Sequence, residues 1–399
     1  MTLSIPRVLL AIALAALMAW GVVGLARVDT DWGPPSGGER LIHAIDAQPA
    51  PQPADAMRAT AMLHDSPIDG RAWRVLAQLA DAQGDRARAD TLYAIAVRRA
   101  PRDRPTRAAL IDRAFAANDL STGFAQLDAL LRVAPLAGPP TLRALMPSLA
   151  DTRVRDDFVA RLASNPPWRG MLLPALKDPA TDPAVALGLL ARLGREAPLT
   201  AAETDARIGL LQRTGQDAGA RQLWLSTLPA DARGEGSLVF DGGFEHPDIT
   251  GAYGWRLAPS PGVDIGSDDG APAQGTRALA IRFGGRAIGA IGLEQSLALA
   301  PGSYRLAFAA DNGTDAQRPI AWRVLCRDGA ELLSQPLPPA GEHGWRRARA
   351  DFIVPAGCPG QVLRLELLAR STLDRQLSGT LRLDDVRIDR QQAVASPWP

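Results

Sequence analysis

The spacing of apolar residues changes once along this chain of 399 residues, after the stretch "LPADARGEGS", and that change fixes what each side of it can form. Before it, apolar positions recur at helical spacing. In "AWRVLAQLADAQGDRARADTLYAIAVRRAP", Trp73, Leu76 and Ala77 share one helical face, and Ala89, Tyr93 and Ala96 share the face of a second helix, with Gly84-Asp85 between them. Beyond it the period is two. "SYRLAFAA" sets Tyr304, Leu306 and Phe308 against Arg305 and Ala307, and "VLRLELL" sets Leu363, Leu365 and Leu367 against Arg364 and Glu366. With turn signals at Pro301-Gly302 and Asp328-Gly329, this predicts antiparallel strands with one solvated face. The expected fold is therefore multidomain: an all-α segment over 54–228, a linker at 229–236, an all-β sandwich over 237–390 and a tail at 391–399. Common strand and turn lengths give the sandwich roughly eight to ten strands.

The helical half carries a repeat. Pro67, Pro101 and Pro135 are spaced by 34 residues, and Asn118-Asp119 occupies, one period on, the turn held by Gly84-Asp85. Gly and Asn are the residues that most readily take the left-handed conformation ending a helix. Trp73, Ala77, Gly84, Ala89, Tyr93, Ala96 and Pro101 together resemble the tetratricopeptide repeat, and Gly215, Ala220 and Trp224 repeat part of that pattern later. The resemblance implies a degenerate helical solenoid whose concave surface takes a protein partner, and it assigns these residues to packing between helices.

The first residues bear on location. Val8 to Ala26 is an uncharged run that, at about 1.5 Å per residue, spans roughly 28 Å, close to the ~30 Å core of a bilayer. We expect residues 1–26 to be an uncleaved signal anchor with its transmembrane part at 8–26, although Gly24-Leu25-Ala26 offers a cleavage site. Arg7 before the span, with Asp29 and Asp31 beyond Arg27, places the N-terminus in the cytoplasm. The protein is thus expected to be single-pass in a bacterial inner membrane, its bulk in the periplasm, with the Pro-rich stretch 27–53 as a spacer that builds no core. Two cysteines, Cys326 and Cys358, fit one disulfide in an oxidising compartment, or two unpaired buried thiols. Forty-four basic residues, all Arg except Lys177, balance 43 acidic ones, so the field that drives nucleic-acid binding is missing.

In the second half the order "LVFDGGFE", "GW", "TRALAIRF", "GWRRARADFIVP" and "LRLDDVRI" resembles the jelly-roll carbohydrate-binding modules of families 4 and 9 and their galactose-binding-like relatives. The resemblance implies a Gly-Phe-Glu corner beside the end of the last strand, and a structural calcium there for which Glu245 and Asp385 match the family positions. It places Trp255 and Trp345 inside the sandwich, which leaves Tyr253 and Trp322 as candidate sugar-stacking rings, with the core as the alternative for Trp322 because it shares its strand face with Val324 and Cys326. In "LRLDDVRI" the apolar phase is odd at Leu381 and Leu383 and even at Val386 and Ile388, predicting a bulge at Asp384-Asp385. Arg323, Arg364 and Arg382 point away from the apolar parity of their strands and form either a face that recognises acidic polysaccharide by bidentate hydrogen bonds or a solvated sheet face.

No residue cluster announces a reaction: the adjacent acids Asp268-Asp269 and Asp384-Asp385 point apart and have no His or Tyr cluster beside them. The expectation is a non-catalytic, membrane-anchored scaffold in exopolysaccharide or cell-envelope assembly, with no catalytic residue and no cofactor beyond the calcium. The alternatives are a structural envelope protein whose sandwich binds protein, and a polysaccharide-modifying enzyme.

Overall fold

The computed structural model describes residues 37–48, 50–233 and 237–391. The expected anchor at 8–26 lies outside them, and among the described residues no helix is long and apolar enough to cross a membrane. The chain divides into two compact units, Met1–Ala206 and Arg207–Pro399. The division falls within a helix, so the last helical pair counts with the sandwich.

The first unit contains helices α1 (Gly37–Asp46), α2 (Asp55–Asp65), α3 (Gly70–Ala82), α4 (Arg86–Arg99), α5 (Arg104–Ala116) and α6 (Leu120–Val133). They are followed by α7 (Gly138–Leu145), α8 (Thr152–Ala163), α9 (Leu173–Lys177) and α10 (Pro183–Glu196). The repeat is visible in how helices begin. Asp69 and Asp103 cap α3 and α5, and Asp85 and Asp119 cap α4 and α6, each carboxylate accepting from a backbone N–H in the first turn. Within each pair the caps stand one 34-residue period apart. Gly84 (φ 80°) and Asn118 (φ 59°) take the left-handed turn that reverses the chain between paired helices. Ala77, Ala89 and Tyr93 are buried in one cluster, Trp73 packs against it, Ala96 is also buried, and Pro101 is exposed in the turn after α4.

One expectation fails here. The stretch 27–53 is not only a spacer, because Leu41, Ile42 and Ile45 recur at helical spacing and make α1 amphipathic. Ile42 and Ile45 are buried against Val75 and Leu79. Asp46, at the end of α1, pairs at 2.7 Å with the buried Arg74 guanidinium, which also reaches Asp103 at 3.0 Å.

The second unit joins two helices, α11 (Ala201–Arg213, which begins in the first unit) and α12 (Asp217–Thr227), to ten strands. The first sheet runs β1 (Arg256–Leu257), β4 (Leu293–Leu297), β9 (Gln361–Leu367), β6 (Ile320–Cys326) and β7 (Glu331–Pro336). The second runs β2 (Val263–Asp268), β3 (Ala278–Ala287), β10 (Gln376–Arg390), β5 (Gly302–Thr314) and β8 (Glu342–Val354). All pairings are antiparallel, and the apolar faces of both sheets close on one core containing Trp322, Phe308, Leu365, Leu381 and Ile388. The expected bulge is present: the register of β10 on β5 shifts between Asp384 and Arg387, and Asp385 has φ 53°. Cys326 and Cys358 form a disulfide with an S–S distance of 2.08 Å.

Candidate functional site

On the outer face of the first sheet the strand register brings Glu294 opposite Arg364 and Arg364 opposite Arg323. The side chains answer with alternating charge. Arg256 pairs with Glu294, Glu294 with Arg364 (2.8 Å), Arg364 with Glu366 (3.3 Å), Glu366 with Arg323, and Arg323 with Glu331. Three guanidinium groups and three carboxylates thus form one ladder that crosses all five strands, with no net charge. Arg323 and Arg364 are engaged within it and do not form a row free to recognise acidic polymer.

Neither candidate ring is accessible. Trp322 is 0% exposed and packs in the core against Trp255 and Phe308, with ring centroids 5.8 and 6.5 Å away. Tyr253 is 1% exposed; its hydroxyl donates to the Asp217 carbonyl at 3.1 Å, and its ring lies 6.0 Å from that of Trp224 on α12. Burial raises the Tyr253 hydroxyl to about 12, so it stays a donor at neutral pH. Tyr253 is where the sandwich meets its own helical pair.

The exposed ring is one assigned to the interior. Trp255 does pack inside, 5.2 Å from Phe244, but Trp345 is only partly buried and lies outside the core cluster. Its indole N–H donates to the Ala271 carbonyl at 2.8 Å, and the Arg382 guanidinium lies 5.6 Å from its ring centroid. Arg382 faces outward because Leu381 and Leu383 on either side face the core. It also pairs with Asp311, and with Asp268 at 3.6 Å. Of the five residues proposed for glycan, Arg382 alone stands beside an accessible ring. Among the described residues of the sandwich, Trp345 is the one Phe, Tyr or Trp that is not buried.

No protein-family model matches the chain, and no curated protein matches it. Among solved structures, part of the chain is similar to the xylan-binding CBM22-1 domain of Paenibacillus barcinonensis Xyn10C. That match has 16% identity and a TM-score of 0.26, and covers 35% of this chain and 88% of that one. TmCBM61, solved with β-1,4-galactotriose, matches at 17% identity over 39% of this chain and 99% of its own, with a TM-score of 0.28. The enzymatically active domain of bacteriophage CBA120 tailspike protein 4 matches at 13% identity and a TM-score of 0.29, over 39% of this chain but 21% of that chain.

The Asp-Gly-Gly-Phe-Glu corner is built as the sequence suggests. Gly242 runs so close to the end of β10 that a β-carbon would sit 1.8 Å from the Val386 carbonyl oxygen, and the Val386 N–H donates to the Gly242 carbonyl at 2.9 Å. Asp241 and Phe244, like Asp385, have positive φ (48° and 59°), a conformation rare for non-glycine residues. The calcium expectation does not fit the donors found here. Asp385 gives its carboxylate to Arg347 (2.9 Å) and Arg387 (3.0 Å), and the wholly buried acid is its neighbour Asp384. Asp384 accepts from the Gln274 and Asp385 N–H groups, and Glu245 from the Thr276 and Arg277 N–H groups. Backbone donors of the 274–277 loop thus meet both carboxylates. Among the described residues no three His, Cys, Asp or Glu side chains converge as a metal site.

Two buried glutamines complete the framework and carry no pattern a sequence reading would notice. Gln295 clamps both backbone groups of Phe240 at 2.9 Å, and Gln361 clamps those of Leu299 at 2.9 and 3.2 Å.

Proposed function

We propose that this protein is a non-catalytic, exported scaffold, held in a bacterial inner membrane by residues 8–26, whose helical repeats take a protein partner. Its sandwich takes a neutral glycan on the outer face of the second sheet. The carrying observation is the partly exposed Trp345 ring with Arg382 against it and the Asp268 and Asp311 carboxylates within reach of that guanidinium. An aromatic face offers stacking surface to a sugar ring, and charged side chains beside it offer hydrogen bonds to hydroxyls. The disulfide favours an oxidising compartment. The self-neutralised ladder on the first sheet is the reason for preferring a neutral polymer to an acidic one.

Xylan, β-1,4-galactan and polygalacturonate titrated against the full chain at low and high salt provide the test. A neutral polymer should bind with an affinity nearly indifferent to salt, because stacking is not screened. Trp345→Ala should weaken it about tenfold or more, equivalent to ~1.4 kcal/mol. Unchanged binding by Trp345→Ala would move the site elsewhere, and no binding to any of the three would leave the sandwich as a protein-contact domain.

A further inference from the structure

A cavity of about 380 Å³ opens beside the Asp-Gly-Gly-Phe-Glu corner, lined by Arg221 of α12, Arg233, and corner and β10 residues that include Asp241, His246 and Asp384. That size is in the range of small-molecule sites. Four carboxylates reach its wall, and each is already satisfied from within the protein. Asp241 accepts from the Glu245 N–H at 2.8 Å and the His246 N–H at 3.0 Å. Glu245 and Asp384 hold the 274–277 loop, and Asp385 holds two guanidinium groups. Burial raises Asp241 and Asp384 from the ordinary carboxylate value, against the backbone N–H groups that they accept from.

The groups left over are donors. Arg221 is half-buried, burial lowers its affinity for the proton, and among the described residues no carboxylate pairs with it. A guanidinium withdrawn from water without a partner costs stability and persists where a ligand completes it. Arg233 gives its Nε–H to the Leu228 carbonyl at 3.2 Å, and among the described residues no carboxylate pairs with its terminal nitrogens. His246 engages the wall through its backbone N–H.

We propose that this cavity binds a small ligand through an oxyanion, a carboxylate or a phosphate, held by Arg221 with Arg233 at the rim. A planar guanidinium matches either group with two parallel hydrogen bonds. The site is independent of Trp345, since its donors come from α12 and the turn that follows, so it stands whether or not the sandwich binds glycan.

Galacturonate, galactose and inorganic phosphate titrated by calorimetry against the full chain separate the cases. Galacturonate binding without galactose binding marks the carboxylate, and phosphate binding marks the phosphate. In either case Arg221→Gln should weaken the oxyanion about tenfold or more, and Trp345→Ala should leave it unchanged. The ligand-free protein gives a second readout: Arg221→Met, which removes an unpaired charge, should raise the melting temperature. Failure of both galacturonate and phosphate to bind would overturn the proposal, as would binding that survives Arg221→Gln. A fall in melting temperature for both Arg221→Met and Arg221→Gln would also overturn it, because the guanidinium would then be part of the fold.

Discussion

Trp322→Ala is expected to destabilise the second unit by about 3–5 kcal/mol, the cost of emptying a fully buried aromatic site. The ring lies at the centre of the sandwich, between Trp255 and Phe308, and in the neighbouring strand β9 the core residue Leu365 stands opposite it. Trp322→Phe should cost much less. The indole Nε1 is buried without a hydrogen-bond partner, so its removal loses ring volume but no hydrogen bond, and it relieves an unmet donor. Urea denaturation of the two variants, followed by tryptophan fluorescence, measures both. Equal losses would mean that the donor has a partner, and a loss below about 1 kcal/mol for alanine would mean that the core closes around the gap.

Trp322 and Trp345 show where the sequence is legible and where it is not. Alternation along one strand tells which residues share a face, and it placed Leu363, Leu365 and Tyr304 in the core, where they are. The same rule separates Trp345 from Phe352, seven residues on in β8, and so puts them on opposite faces; that signal outranks a resemblance that assigned Trp345 to the interior. The bulge at Asp384-Asp385 was legible because it inverts the parity inside one strand. Register between strands was not. Nothing in the separate segments around Glu294, Arg323, Glu331 and Arg364 says that they align into one ladder, because pairing is set by long-range topology. The helical half divides in the same way. Its 34-residue rhythm appears in the sequence, whereas the docking of α12 on the sandwich depends on Tyr253 and Phe240 meeting Trp224, a contact with no local pattern.

The ladder also bears on the choice between acidic and neutral ligands. Single exposed ion pairs contribute little, typically ~0–1 kcal/mol, but each guanidinium in this ladder would have to leave a carboxylate before reaching a polymer's acid group. Exchange of one carboxylate for another gains little. A Glu366→Gln variant tests the point, since it frees part of Arg323 and Arg364. It should acquire a weak, salt-sensitive affinity for polygalacturonate that the parent chain lacks.

Removing the disulfide is expected to act at two levels. Cys326 and Cys358 are 32 residues apart, and closure of a loop of that length stabilises by ~3–4 kcal/mol in the chain-entropy model, so Cys326→Ser with Cys358→Ser should lower the melting temperature by roughly 10 °C. The second level follows from what adjoins the bond. Arg327, next to Cys326, donates to the Gln212 carbonyl and pairs with the buried Asp217 at the start of α12, while its N–H donates to the Gly360 carbonyl at 3.0 Å, two residues past Cys358. The disulfide therefore braces the two loops that grip the helical pair. Loss of the bond should free Arg327 to move, leave Asp217 buried without its counter-ion, and loosen residues 207–227 before the sandwich core opens. Hydrogen exchange reads this directly: protection should fall in 207–227 in the double serine variant and hold in 86–99 of the first unit. Equal protection of 207–227 in the oxidised and serine forms would show that the grip does not depend on the bond, even if the melting temperature falls. A match between Arg327→Gln and the serine variant in that segment, without the global loss of stability, would identify Arg327 as the link between the disulfide and the helices.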